Sequence, residues 1–269
     1  MFLKNRIYFV FFAVTILFSG CNKEYRQIQK SYDSDAKYNY AMKCYNDGKY
    51  SRAIGIFEEI QPFMKGRENF ETMSYTMGYA YFKSRDYFMA SHVFQNYARL
   101  YPNNERTEEC FYMSAYCSML DVPYYKLDQA NAYEAIKQFQ LFINYYPKSD
   151  KVKDANEFID ALRVQLAQKA YELANNYYRR ELYLSASIAF KNIIKDYPET
   201  KYREEAMFMN VRALYYYAYH SIAERQEERY TNTIEAYEQL ERAYPESLYL
   251  SKAKDYIVTA NNYLNKRKN

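Results

Sequence analysis

Residues 70–102 read FETMSYTMGYAYFKSRDYFMASHVFQNYARLYP. Small Gly78 sits where two helices can approach closely, and Tyr87 and Ala90 open a second helical pattern. Phe94 and Tyr97 follow one turn apart before Pro102, which cannot continue a helix. The stretch is therefore a helical hairpin, apolar on its inner sides and closed by a Tyr-Pro pair.

The same register returns downstream. Ala174 takes the place of Gly78, and Tyr183, Ala186, Phe190, Ile193 and Pro198 follow. Ala90 lies 12 residues before Pro102 and Ala186 lies 12 before Pro198; Gly78 and Ala174 lie 24 before theirs. Tyr101-Pro102, Tyr146-Pro147, Tyr197-Pro198 and Tyr244-Pro245 punctuate the chain in this way. The pattern resembles the tetratricopeptide repeat (TPR), whose hairpins bury their apolar faces only by stacking on neighbours.

Three further units are degenerate. One uses Ala41, Gly48, Tyr50, Ala53, Phe57 and Ile60, with Pro62 early. Another splits into Phe111, Ser114, Ala115 and Ser118, then Ala135, Phe139, Phe142 and Pro147, around an enlarged turn at residues 121–128. The last splits into Met209, Arg212, Ala213 and Tyr216, then Thr233, Tyr237, Leu240 and Pro245. The expected fold is all-α: a TPR-like α-solenoid of about five helical hairpins plus a capping helix. The repeats fall at about 37–62, 70–102, 107–147, 166–198 and 204–245, with the cap at 247–264, inside a solenoid spanning 37–269. Asn104, Ser149, Thr200 and Ser247 follow the prolines and are expected N-caps. Five glycines and six prolines in 269 residues argue against the many turns of an all-β chain.

The first twenty residues stand apart. Lys4 and Arg6 precede an uncharged run from Ile7 to Phe18, then Ser19-Gly20-Cys21. Twelve residues make a helix of roughly 18 Å, short of a hydrocarbon core of ~30 Å, so residues 1–20 read as a signal peptide. Small residues before a cysteine resemble the bacterial lipoprotein lipobox, although its usual leucine is Phe18 here, with Leu17 one place earlier. That resemblance implies lipid attachment at Cys21, with residues 21–36 as a tether. The competing reading is an ordinary signal peptide beside an incidental cysteine.

Removing residues 1–20 takes away two positive charges and no negative ones, so the formal charge of +4 falls to +2. So small a balance offers no electrostatic case for nucleic acid. Cys110 and Cys117 share one expected helix, about 10.5 Å apart, beyond the reach of a disulfide. With Cys44 they read as buried small apolar residues. Two histidines, His92 and His220, fall in separate repeats, and no CxxC, HExxH, P-loop or GxSxG sequence occurs. No catalytic residue, metal or cofactor is expected. The adjacent acids Glu58-Glu59, Glu108-Glu109, Glu204-Glu205 and Glu227-Glu228 read as solvated faces or first-turn partners of the helix dipole.

The chemistry is then expected on a surface. In a TPR stack the first helix of each pair lines the inner face. Its positions here are Tyr38, Met42 and Tyr45, then Tyr75, Tyr79 and Phe82, then Tyr112, Tyr116 and Met119. All nine are aromatic or methionine. Later repeats change character, to Gln168, Tyr171, Asn175, Tyr178 and Arg179, then Asn210, Leu214 and Tyr217. One reading makes the nine a groove for a peptide with aromatic side chains, because flat rings offer large contact area at low entropy cost. The other makes them core, covered by tight curvature or by residues 22–35. The Lys and Asn positions of a chaperone-type carboxylate clamp hold Tyr and Met.

The lipobox, the five degenerate repeats and the third-repeat insertion together resemble the BamD (ComL/YfiO) family of outer-membrane β-barrel assembly lipoproteins. So do the runs Tyr79-Ala80-Tyr81-Phe82-Lys83, Tyr112-Met113-Ser114-Ala115, Phe139 to Pro147 and Lys195 to Thr200. The likeness covers about residues 36–264. It implies an all-helical, non-enzymatic scaffold anchored by lipid in the outer membrane and facing the periplasm. It also implies two protein partners: the POTRA region of a BamA-like barrel protein, docked by the C-terminal repeats, and C-terminal segments of unfolded outer-membrane proteins. The alternative is another periplasmic TPR lipoprotein that scaffolds cell-wall or division enzymes.

Overall fold

The computed structural model describes residues 24–268. Every regular element among them is an α-helix. A helix over residues 24–30 (α1) precedes α2 (Ser34–Asn46), α3 (Tyr50–Met64), α4 (Phe70–Lys83), α5 (Tyr87–Leu100) and α6 (Thr107–Leu120). Then come α7 (Ala130–Tyr145), α8 (Val152–Arg179), α9 (Tyr183–Asp196), α10 (Arg203–Tyr219), α11 (Ala223–Ala243) and α12 (Leu248–Lys268). The signal peptide and Cys21 lie outside the described residues.

Two compact units emerge. The first runs to Val122 and includes Tyr133–Ala155; the second holds Pro123–Ala132 and the chain from Asn156 onward. Within the first, α2, α3, α4, α5 and α6 pack each on the next. Within the second, α9, α10, α11 and α12 do the same. Helices adjacent in sequence are thus adjacent in space, as hairpin stacking requires.

The small-residue register works as a packing device. A Cβ placed on Gly78 would lie 2.7 Å from the Phe94 ring, so only hydrogen fits there. Ala90, Phe94, Ala186 and Phe190 are fully buried. Each buried ring removes apolar area worth about 1.5–3 kcal/mol from water.

The two units repeat one another at a spacing of 96 residues, well beyond the landmarks that define the hairpins. Ser91 donates to the Ser114 carbonyl at 2.9 Å, and Ser187 donates to Asn210 Oδ1 at 2.7 Å, on the same pair of helices in each unit. Arg85 (φ 65°) and Glu181 (φ 62°) are the two non-glycine residues with left-handed backbone among those described. Both close a first helix. The amide three residues beyond the helix, Asp86 or Leu182, bonds back to the carbonyl of Tyr81 or Tyr177, each at 3.0 Å. Gly48 (φ 74°) does the same in the first hairpin without the Cβ penalty.

Helix starts differ from expectation in detail. Asn104, Ser149, Thr200 and Ser247 each accept the amide of the residue two places on, at 2.9, 3.2, 3.4 and 3.1 Å. Only Ser247 directly precedes its helix; the others build the tight turn after Tyr-Pro, and the helices begin up to three residues later. Their short side chains satisfy the turn backbone before the helix does. Pro62 lies inside α3, which runs on to Met64. The helix holding Ala174 begins at Val152, upstream of the expected repeat start at 166.

The enlarged turn is built around buried Gln129. Its carboxamide nitrogen reaches the carbonyls of Pro123, Tyr124 and Leu127 at 3.2–3.3 Å. From α8, Gln165 donates to the Pro123 carbonyl (3.0 Å) and Lys169 to that of Leu127 (2.7 Å), while Tyr125 donates to Glu172 (2.5 Å). One face of α8 therefore clamps the insertion.

Candidate polypeptide-binding face

The nine expected groove residues all lie on α2, α4 and α6 of the first unit. Tyr38 is buried, at 8% exposure. Met42, Tyr45, Tyr75, Tyr79, Phe82, Tyr112, Tyr116 and Met119 are partly exposed. All but Met119 belong to the apolar cluster of the unit or pack against it. Tyr75, Tyr79 and Phe82 meet Glu109 and Tyr116 where α4 and α6 approach.

A chain of rings crosses from α4 to α6. Tyr75 and Tyr79 are 5.0 Å apart, Tyr79 and Phe82 6.4 Å, and Phe82 and Tyr116 6.2 Å. Tyr116 stacks on Tyr112 at 6.1 Å with planes 7° apart. Tyr79 also meets Phe94 edge-on at 5.1 Å, which ties the chain to the core.

Two of its hydroxyls are engaged. Tyr75 donates to Glu109 at 2.9 Å, and Tyr79 donates to the other oxygen of the same carboxylate. Tyr97 donates to Glu71, which pairs with Arg106 at 3.3 Å. The Arg106 guanidinium lies 4.7 Å from the Tyr75 ring centre. Burial, then the Glu109 hydrogen bond, push the Tyr75 phenol up to about 12 and that of Tyr79 higher still. With the Tyr75 and Tyr79 hydroxyls held by Glu109, these rings are preorganised and present their faces and edges.

Sequence reasoning missed Glu109. It does stand in the first turn of α6, yet it bridges two tyrosines 30 and 34 residues upstream. Glu59 likewise pairs with buried Lys37 at 2.5 Å, Glu58 accepts from Tyr81 at 2.5 Å, and Glu204 accepts from Ser247 at 2.6 Å. These acids are fixed by tertiary contacts and are not merely solvated. Cys44, Cys110 and Cys117 are buried free thiols. Burial raises Cys117 to about 12, so it stays protonated near neutral pH.

Helix α1 packs elsewhere. Tyr25 stacks on Tyr40 at 6.3 Å, Glu24 pairs with Lys43 at 2.8 Å, and Arg52 lies 5.1 Å from the Tyr25 ring. Tyr40 and Lys43 face roughly 160° around α2 from the Tyr38, Met42 and Tyr45 stripe, at 100° per residue.

In the second unit the 96-residue spacing puts Tyr171, Asn175 and Tyr178 where the first has Tyr75, Tyr79 and Phe82. It puts Phe208 and Arg212 where the first has Tyr112 and Tyr116. The register expected for α10 is corrected accordingly. Asn210 and Leu214 are buried, at 3% and 5%, Asn210 against Ser187. The polar residues of α10, Arg203, Glu204, Glu205, Asn210 and Arg212, scatter around the helix, so no single polar side fixes its phase. Tyr171 stacks on Tyr202 at 4.9 Å, and Tyr178 faces the Arg212 guanidinium at 5.0 Å.

Among the described residues no helix is long and apolar enough to cross a membrane. Residues 30–228 match the family model described as YfiO, outer membrane lipoprotein. The BamD outer membrane protein assembly factor of Caulobacter vibrioides is 27% identical over 62% of this chain and 54% of its own length, so the match spans about half of that relative. Those of Buchnera aphidicola and Vibrio cholerae are 25% and 23% identical, over 79% and 75% of this chain and 90% and 87% of their own. Likeness to solved structures is loose. The TPR2AB domain of yeast Sti1 in its pHSP90 complex aligns at 15% identity over 88% of this chain and 98% of that one, with a TM-score of 0.36. With the family model covering far more than half of its 269 residues, the chain belongs to the YfiO family of outer membrane lipoproteins.

Proposed function

We propose that this chain is a non-catalytic scaffold for assembling β-barrel proteins in the outer membrane. It is held at the periplasmic face by acyl groups on Cys21. The family match over residues 30–228 carries this reading. Through its C-terminal repeats the scaffold docks the POTRA region of a BamA-like barrel protein. Through the ring surface on α2, α4 and α6 it receives C-terminal segments of unfolded outer-membrane proteins. Holding both partners raises the effective concentration of one near the other, and no covalent step is needed.

The ring chain from Tyr75 to Tyr112 supports the client half of this reading. Its rings are fixed and partly exposed, and aromatic anchors of this kind carry much of the energy of protein interfaces. Replacing Tyr75 and Tyr116 by Ala is expected to weaken a peptide ending in an aromatic residue by about tenfold or more, in fluorescence anisotropy. Unchanged affinity, with an unchanged melting temperature, rejects the groove. For the machinery itself the test is co-purification from membranes. A POTRA-bearing barrel protein is the expected partner; recovery of peptidoglycan enzymes in its place supports the cell-wall alternative. Cys21→Ser should leave the chain in the soluble fraction, and its persistence in the membrane pellet would remove the anchor.

A further inference from the structure

Cys21 and α1 are close neighbours in the chain. Three backbone steps separate Cys21 from Glu24, a span of at most about 11 Å. Helix α1 runs antiparallel to α2. Glu24 pairs with Lys43 at 2.8 Å and Tyr25 stacks on Tyr40 at 6.3 Å, while the Gln29 carbonyl accepts from Lys37 at 3.5 Å. An acyl anchor on Cys21 therefore meets the first unit beside the α2–α3 turn. The start of α2 lies about 20 Å away along that helix.

The anchored edge is basic. Helices α2, α3 and α4 pack each on the next through short turns, so the α2–α3 and α4–α5 turns share one edge. The first carries Lys43, Lys49 and Arg52 with Asp47, and the second carries Lys83 and Arg85 with Asp86. Asp86 caps α5, accepting the Met89 amide at 3.1 Å. Among the described residues neither Lys83 nor Arg85 has a carboxylate within ion-pair distance. Beside them Phe88, in the first turn of α5, is 60% exposed. Helix side chains lean towards the N-terminus, so this ring leans to the same edge. Helices α3 and α5, which start there, have no acid in the first turn. Those that start at the opposite edge do: Asp35 on α2, Glu71 on α4, and Glu108 and Glu109 on α6.

Cations without carboxylate partners beside an exposed ring suit a surface that offers many anions over an apolar layer. A bilayer of anionic lipid is such a surface: basic residues gain at its headgroups, and aromatic rings settle at its interface. One acylated residue and a basic patch together hold a protein more firmly than either alone. We infer that this edge of the first unit rests on an anionic lipid surface, with Lys83 and Arg85 at the headgroups and Phe88 between them. The inference rests on acylation at Cys21 as proposed above, and it adds which side of the unit faces the lipid.

The chain contains no tryptophan, so a single introduced indole reports only its own surroundings. Phe88→Trp places one at the basic edge, and Tyr32→Trp places one at a fully exposed position just before α2, at the other edge. The full acylated chain is reconstituted in vesicles of phosphatidylcholine and phosphatidylglycerol with acyl chains brominated near the headgroup, which quench indole fluorescence on contact. Quenching is expected to be several-fold stronger in the Phe88→Trp chain than in the Tyr32→Trp chain. Equal quenching, stronger quenching of the Tyr32→Trp chain, or none in either overturns the inference. Adding Lys83→Glu and Arg85→Glu should reduce quenching of the Phe88→Trp chain several-fold, as should leaving out phosphatidylglycerol. Glu181 holds the same left-handed backbone as Arg85, so Glu is tolerated in that conformation and the melting temperature should not change. Undiminished quenching in both cases would sink the part played by charge. Flotation tells the two readings apart. A chain that does not float with vesicles removes the anchor and this inference with it, whereas a chain that floats while both reporters respond alike removes this inference alone.

Discussion

At the scale of single residues, small size and backbone handedness decide most. Gly78 is opposed by a fully buried ring that has nowhere to go. Gly78→Ala improves helix propensity by up to ~1 kcal/mol yet overpacks the crossing, and a net loss of about 1–2 kcal/mol is expected in urea denaturation. A gain in stability would show that the two helices slide apart freely. Arg85 and Glu181 hold left-handed backbone that costs an L residue about 1–2 kcal/mol. Arg85→Gly should therefore stabilise by up to about 1 kcal/mol, and Gly48→Ala should destabilise by a similar amount. The need for a small residue at position 78 is legible from the chain alone. Glycine marks the left-handed positions at 48 and 66, whereas Arg85 and Glu181 have no chemical signature of that conformation.

At the scale of elements, what matters is how a helix end or an insertion is tied down. The insertion at residues 123–129 depends on Gln129 within it and on Gln165, Lys169 and Glu172 along α8. Gln129→Ala removes the donor of the Tyr124 and Asp128 carbonyls, while those of Pro123 and Leu127 keep Gln165 and Lys169. Limited proteolysis near exposed Tyr124 and Leu127 should speed up several-fold, while global stability falls by only about 1–2 kcal/mol. Unaltered cleavage would mean that α8 alone holds the loop. Tyr-Pro pairs mark the ends of α5, α7, α9 and α11 in the sequence, since proline chemistry is local. The clamp is not marked, because its partners are about forty residues away.

At the scale of the whole molecule, 36 tyrosines make the fold sensitive to alkali. Tyr75 and Tyr178 are raised to about 12, and Tyr79, Tyr81, Tyr97 and Tyr171 higher, with burial the largest cause in each. In the unfolded chain a phenol ionises near 10. A folded-state value above the unfolded one means that these groups contribute their full stability below about pH 10 and lose it as pH rises towards 12 and beyond. Tyrosinate absorbance should then climb together with loss of helical circular dichroism between about pH 10 and 12. Ionisation of most tyrosines without unfolding would show that the phenols are far more accessible than their burial implies.

The helical class, the Tyr-Pro helix ends and the small-residue crossings followed from the amino-acid sequence by itself. Periodicity of three and four and the chemistry of proline act within a few residues of one another. Tertiary structure alone decided that Glu109 gathers Tyr75 and Tyr79, that α10 turns Phe208 and Arg212 towards the ring-bearing side, and that α1 leans on Tyr40. Each of these joins side chains from different helices, and a helix such as α10, whose polar residues scatter around its circumference, has no phase until its neighbours pack against it.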